Sequence, residues 1–224
     1  MRTAFIDFPP FKYVDDEGNA AGPWVEFSEK LAEQAGYQLE WIELPISRVY
    51  RQLISGEVDL WPGLAGIPEL DGAVLETDLT PLSLTLAAYH KSDQPEISGI
   101  EELRGKDLIL ISGFTYLGFL DDILASENTT VARSPNHGSA LRMLSLGRGQ
   151  YMINYDEPVK ELLADNPMED LRQSLLVRVR GAFVISKQMP GAETLKRDFE
   201  EAFRVLDLET LSSGNDTQVD DVPE

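Results

Sequence analysis

The sequence has no cysteine and only two histidines. The first absence excludes disulfides and thiolate metal sites. His90 and His137 lie far apart, with no metal-ligand spacing around them, so no metal is expected. Basic residues are scarce: 19 Lys and Arg stand against 39 Asp and Glu, a formal net charge of −20. Nucleic acids and anionic membrane surfaces are bound through basic patches, so neither is an expected partner. No apolar run of about 18 residues occurs, so no segment is expected to span a bilayer. A Gly-x-Ser-x-Gly elbow, a phosphate-cradling glycine loop and clustered histidines are all missing. The usual marks of a nucleophile–base pair or a nucleotide site are therefore absent, and no cofactor is expected. The lack of cysteine is compatible with an oxidising compartment. The acidic, Arg-over-Lys composition suits a salt-rich habitat, as it suits any acidic globular protein.

What is present is enough apolar material for a sizeable core: 42% of 224 residues, sufficient for one large or two small domains. Arg51-Gln52-Leu53-Ile54-Ser55-Gly56 reads as a helix end with a C′ glycine, followed by the β-prone run Val58 to Trp61, which Pro62 is expected to end. The same grammar returns in Arg142-Met143-Leu144-Ser145-Leu146-Gly147, followed by the strand-like Tyr151 to Tyr155. One helix–glycine–strand unit is thus used once in each of two similar halves.

The surrounding elements agree. Thr3 to Ile6 is a first strand, Phe8-Pro9-Pro10-Phe11 an aromatic loop, and Asp15 to Asn19 a hairpin tip. Pro23 suits the first turn of a helix with Val25, Leu31, Ala32 and Ala35 inward, and Gly36 stops it. Gln38 to Leu44 alternates as a strand, and Ser47 is a candidate N-cap for the helix over 48–55. The second half repeats the order: strand Leu108 to Ile111, a helix from the 112–116 loop to about Ser126, and a strand at Thr130 to Ala132. The helix opened by Asn136 to Ser139 and the strand at 151–155 complete it. Each half reads β-α-β-α-β, which requires parallel strands with right-handed crossovers. The extended run Leu175 to Ile185, interrupted at Gly181, suits a chain passing between domains. Gly191 to Leu208 is a periodic helix. The acidic tail 212–224 is expected to be disordered. Met1 is followed at once by strand-like sequence, with no signal peptide ahead of it, which reads as a cytoplasmic chain or as a mature N-terminus.

In this order the motifs Phe8-Pro9-Pro10-Phe11-Lys12-Tyr13, Asp16-Glu17-Gly18-Asn19 and Gly22-Pro23-Trp24-Val25-Glu26 point to a family. Leu53-Ile54-Ser55-Gly56-Glu57-Val58-Asp59, Ile100 to Lys106 and Tyr155-Asp156-Glu157-Pro158-Val159 continue the pattern. Over residues 2–210 the chain resembles the solute-binding proteins of bacterial ABC importers, the amino-acid-binding family 3. The resemblance implies a two-lobed, type II periplasmic-binding-protein-like α/β fold with two crossover strands. It places lobe 1 at 1–89 plus 182–211 and lobe 2 at 90–181. It also implies a periplasmic location with the signal peptide removed, a membrane permease as partner, and a monomer that closes on a small polar or zwitterionic, amino-acid-like solute. The chain departs from the family in one respect. The Thr/Ser-x-Arg motif whose Arg grips the ligand carboxylate is replaced by Ala65-Gly66-Ile67-Pro68-Glu69-Leu70. That departure puts a standard α-amino acid in question.

Candidate solute contacts follow from residue chemistry and from family position. Phe11, Trp24 and Trp61 offer aromatic faces, while Phe8 reads as core. Arg48, at a helix start where a cation is poorly placed, is a substitute carboxylate ligand. Gly113, Phe114, Thr115 and Tyr116 precede a helix and could present N–H groups to an anion. Asp156 matches the family acid that takes the ligand ammonium, although it could equally be an N-cap. Two other readings use the same fold: the sensor module of a receptor or kinase, and a dehydratase working through Glu26 and Asp156. His90, beside Lys91, reads as a surface hinge residue.

Overall fold

The computed structural model describes residues 1–79 and 82–213, with side chains as far as residue 206. The chain begins with β1 (Arg2–Phe5), a small hairpin of β2 (Tyr13–Val14) and β3 (Ala20–Ala21), then α1 (Pro23–Gln34). β4 (Glu40–Glu43), α2 (Ile46–Ser55), β5 (Leu60–Leu64), β6 (Val74–Glu76) and β7 (Ser83–Lys91) follow. The rest comprises β8 (Asp107–Ile111), α3 (Asp121–Leu124), β9 (Thr130–Ser134), α4 (His137–Ser145), β10 (Tyr151–Tyr155), α5 (Asp156–Asp165), β11 (Leu171–Ser186) and α6 (Ala192–Ser213). The expected tail from residue 214 onward lies outside the described residues.

The two halves are built alike. The strands run β4-β1-β5 in the first and β9-β8-β10 in the second, in each case second, first, third, and all parallel. The long antiparallel strands β7 and β11 join them. β11 pairs with β7 from Leu171 to Arg180, then changes partner at Gly181 and runs against β5 to Ile185. Gly181 donates its N–H to the Leu82 carbonyl at 2.7 Å. A Cβ there would meet that carbonyl at 3.1 Å, which is why glycine occupies the switch. Arg180 braces the crossing chain by donating to the carbonyls of Thr77 and Leu79.

Strand alternation sorts the core onto both faces of each sheet. In β7, Leu84, Leu86 and Ala88 enter one cluster while Ala87 and Tyr89 enter another. In the first half Trp61 and Val184 pack under α2, whereas Leu60, Phe183 and Ile185 pack under α1 and α6. The two helix–glycine units are realised as expected: Gly56 and Gly147 take φ of 75° and 67°, and Leu53 and Leu144 are buried.

Four local expectations need correcting. Pro62 does not end its strand but sits inside β5. Ala65 N–H bonds to Arg180 O, so Pro62 occupies a non-bonded position toward β11. Its missing N–H faces β1, which pairs with β5 only at Leu60, so no ladder bond is lost. Ser47 is not an N-cap, because α2 already starts at Ile46, with the Pro45 carbonyl accepting from Arg48 and Val49. The helix expected to reach Ser126 shrinks to a short 3₁₀ turn and the four residues of α3. Tyr116, Leu117 and Gly118 in succession take left-handed φ values of 52°, 55° and 74°, which a right-handed helix cannot include. His90 is buried rather than a surface residue: its Nε2 lies 3.3 Å from Ser174 Oγ and its ring lies against Tyr151.

Candidate functional site

The turn Phe8–Lys12 opens the site. Phe8 N–H bonds to Lys12 O, and both Phe11 and Lys12 return N–H groups to Phe8 O. This knot turns Phe8, Phe11 and Lys12 toward the seam between the halves. Gly22 then lets the chain approach it: Trp24 N–H reaches Phe11 O at 3.0 Å, which fixes the start of α1 and the Trp24 indole. From the first half, Phe11, Lys12, Trp24, Ile46, Tyr50 and Trp61 line one side of an apolar cavity. From the second, Phe114, Thr115, Tyr116 and Tyr155 line the other. The cavity encloses about 50 Å³. Solute pockets typically measure roughly 300–1,000 Å³. An amino-acid-sized molecule can therefore enter only if the walls part.

The polar groups of this cavity are few. Lys12 Nζ donates to the Pro62 carbonyl at 2.8 Å, and Trp24 Nε1 donates to the same carbonyl at 3.1 Å. The Lys12 ammonium also lies 6.0 Å from the centre of the Trp61 ring. Lys12 is 5% exposed, and among the described residues no carboxylate pairs with it. Burial alone pulls its pKa down to about 7. Trp61 Nε1 is buried without a hydrogen-bond partner. Burial pushes the Tyr50 phenol up to about 12, against a smaller opposing effect of the Thr115 hydroxyl across the seam. Tyr116 accepts from Ile111 N–H at 2.7 Å, which anchors the left-handed turn that carries it. Non-glycine residues in that region cost about 1–3 kcal/mol each and persist where surrounding contacts fix them.

Six of the nine residues singled out from sequence, Phe11, Trp24, Trp61, Phe114, Thr115 and Tyr116, line the cavity. Gly113 does not line it, although it precedes Phe114 in the same loop. With φ of 82° it packs beside α2, and a Cβ there would stand 3.2 Å from Ile46 Cγ2. Arg48 is exposed on α2 and does not line the cavity. Asp156 is also elsewhere. It is buried, accepts from the Tyr89 hydroxyl at 2.6 Å, and lies 3.3 Å from Lys160 Nζ. A carboxylate so engaged is part of the fold of the second half. Removing its donor with Tyr89→Phe should lower stability by about 1–3 kcal/mol, read by denaturant unfolding, because a buried oxygen loses its partner. Glu26 is exposed on α1, so neither acid of the dehydratase reading lines the cavity. Asn136 caps α4 by accepting from Ser139 N–H. Sequence reasoning missed Lys12 and Tyr50. Lys12 lay inside a quoted motif, but nothing local marks a lysine as buried.

Gly63 shapes the aromatic wall. A Cβ on it would lie 2.1 Å from Trp61 Cε2, because the indole folds back across this bare position of the strand. Gly63→Ala should therefore displace Trp61, cost about 1–3 kcal/mol of stability and change the tryptophan emission. Urea titration followed by fluorescence checks both.

Among the described residues, no helix is long and apolar enough to cross a membrane, and no group of three or more His, Cys, Asp and Glu stands ready to hold a metal ion. No curated protein sequence matches the chain. Solved structures do. A histidine kinase sensor domain with similarity to periplasmic binding proteins has a TM-score of 0.76 at 22% identity, covering 95% of this chain and 92% of that one. The arginine-binding protein of T. maritima, in its holo form, has a TM-score of 0.71 at 20% identity, covering 92% and 89%. The substrate-binding protein of an amino acid ABC transporter has a TM-score of 0.73 at 21% identity, covering 93% of each. The fold is the expected α/β, two-lobed, type II periplasmic-binding-protein arrangement. The model of the bacterial extracellular solute-binding proteins, family 3, matches residues 3–211, and the chain belongs to that family.

Proposed function

We propose that this protein captures a small solute between its lobes, outside the cytoplasm, and delivers it to the membrane permease of an ABC importer. The observation that carries this reading is the cavity at the seam, walled by residues of both halves and too small to fill without opening. Hinge motion between two lobes is the standard way such a site exchanges its content. In this reading Gly181, where β11 changes partner, is the hinge on one strand. In the same reading β7, which pairs with β10 and β11 along its length, is the second crossing strand. The proposed solute contacts are Phe11, Trp24, Trp61, Phe114, Thr115 and Tyr116.

The kinase sensor domain among the structural neighbours supports a second reading, in which closure signals rather than delivers. Mass spectrometry of molecules that co-purify with the protein tests the shared claim: a stoichiometric small molecule supports it. Loss of uptake of that molecule on deletion of the gene supports the importer. Intact uptake with loss of a phosphorylation response supports the sensor.

A further inference from the structure

We propose that Lys12 is the anion-binding group of the cavity, and that the solute is a monocarboxylate whose body is apolar or aromatic and carries no ammonium. This rests on the solute-binding reading above and narrows it. Among the described residues, Lys12 is the only charged residue in the cavity wall. It is buried, and among the described residues it meets only the Pro62 carbonyl and the face of Trp61, neither of which carries a negative charge. A buried cation without a counter-charge is costly, and an incoming carboxylate supplies the missing partner. Trp61 Nε1, buried and unpaired in the same wall, is a second donor for such an anion.

Nothing comparable awaits a cation. Among the described residues, no Asp or Glu lines the cavity. The acids whose charge is felt nearby are Glu69, acting on Tyr50, and Asp7, acting on His137, and both are exposed. Asp156, the family position for an ammonium, is engaged by Tyr89 and Lys160 away from the cavity. An α-ammonium on the solute would be buried beside Lys12 and repelled by it. Aromatic and aliphatic side chains supply most of the rest of the wall and suit an apolar body.

Binding restores the proton that burial weakens. The other titratable groups of the wall, Tyr50, Tyr116 and Tyr155, are all pushed up by burial and stay protonated at neutral pH. Affinity should therefore fall as pH rises above about 7, where Lys12 in the free protein loses its charge.

The test uses pairs of probes alike in shape: 3-phenylpropionate against phenylalanine and 3-phenylpropionamide, and 3,3-dimethylbutyrate against glycine betaine. Calorimetry and tryptophan emission report binding. The ammonium-free carboxylates should bind about 100-fold tighter than their charged or amide counterparts, the scale on which one member of a buried charge pair matters. Lys12→Met should weaken 3-phenylpropionate by a similar factor, leave 3-phenylpropionamide unaffected and keep the native circular dichroism. Tighter binding of phenylalanine or betaine overturns this inference and leaves the solute-binding reading standing. Unchanged carboxylate binding by Lys12→Met overturns it as well, as does binding of none of the five probes. The solute-binding reading itself fails separately, if the purified protein neither carries nor takes up any small molecule.

Discussion

Lys12→Met should make the solute-free protein more stable, not less. Methionine keeps roughly the length and volume of the lysine stem but removes the ammonium of a residue that is 5% exposed and paired with no carboxylate among the described residues. Replacing even a buried ion pair with apolar groups of similar volume is often neutral or stabilising by about 1–4 kcal/mol, and Lys12 lacks the compensating partner. For a chain of this size each kilocalorie moves Tm by about 2–4 °C. The pH dependence separates this cause from simple repacking. The folded-state pKa of Lys12 is depressed to about 7 from an ordinary 10.5. Between those values the unfolded chain binds a proton that the folded one does not, so stability rises with pH. The penalty is complete below about 7 and vanishes above 10.5. The advantage of Lys12→Met over the parent should thus be largest near pH 6 and shrink toward pH 10. Thermal melts of the two proteins across that range check it. A constant gap would assign the effect to packing, and a loss of stability at pH 6 would show that the Pro62 hydrogen bond outweighs the buried charge.

The same lysine shows where sequence reading reaches and where it stops. Val25, Leu31 and Ala32 announce α1 by spacing, and Gly56 and Gly147 announce two helix ends, because these signals are local. The repeated strand order of the halves follows from the repeated motif. Burial of Lys12 follows instead from contacts with Pro62, 50 residues away, and from the second half closing over it. Lysine is among the residues least often buried, so its type pointed outward. Arg48, by contrast, is conspicuous in the sequence as a cation at a helix start, but it is exposed on α2. Asp156 is a similar case. Its motif is local, but its partner Tyr89 lies 67 residues earlier. The left-handed run at Tyr116 to Gly118 was hidden because only one of its three residues is glycine.

Gly22→Ala should be the most damaging single change near the site. Gly22 has φ of 111° and ψ of 162°, a conformation essentially reserved for glycine. An added Cβ would stand 2.5 Å from the Phe11 carbonyl oxygen and 2.9 Å from its carbon. These are backbone atoms, so no rotamer change can relieve the clash. The Phe11 carbonyl is held by Trp24 N–H at 3.0 Å, so the α1 start and the Phe8–Lys12 turn must separate for the methyl to fit. Left-handed strain costs about 1–3 kcal/mol by itself. Overpacking adds about 1–3 kcal/mol. A loss of roughly 10 °C in Tm follows at the scale already used. Function should suffer along with stability, because the displaced elements carry Phe11, Lys12 and Trp24 together. Gly18→Ala is the control. Gly18 also has a positive φ, 88°, but a Cβ there would meet nothing within 4 Å. It should show only the conformational part of the penalty and keep solute binding. If Gly22→Ala melts no lower than Gly18→Ala, the close approach of α1 to the Phe11 carbonyl is not what holds this wall of the cavity in place.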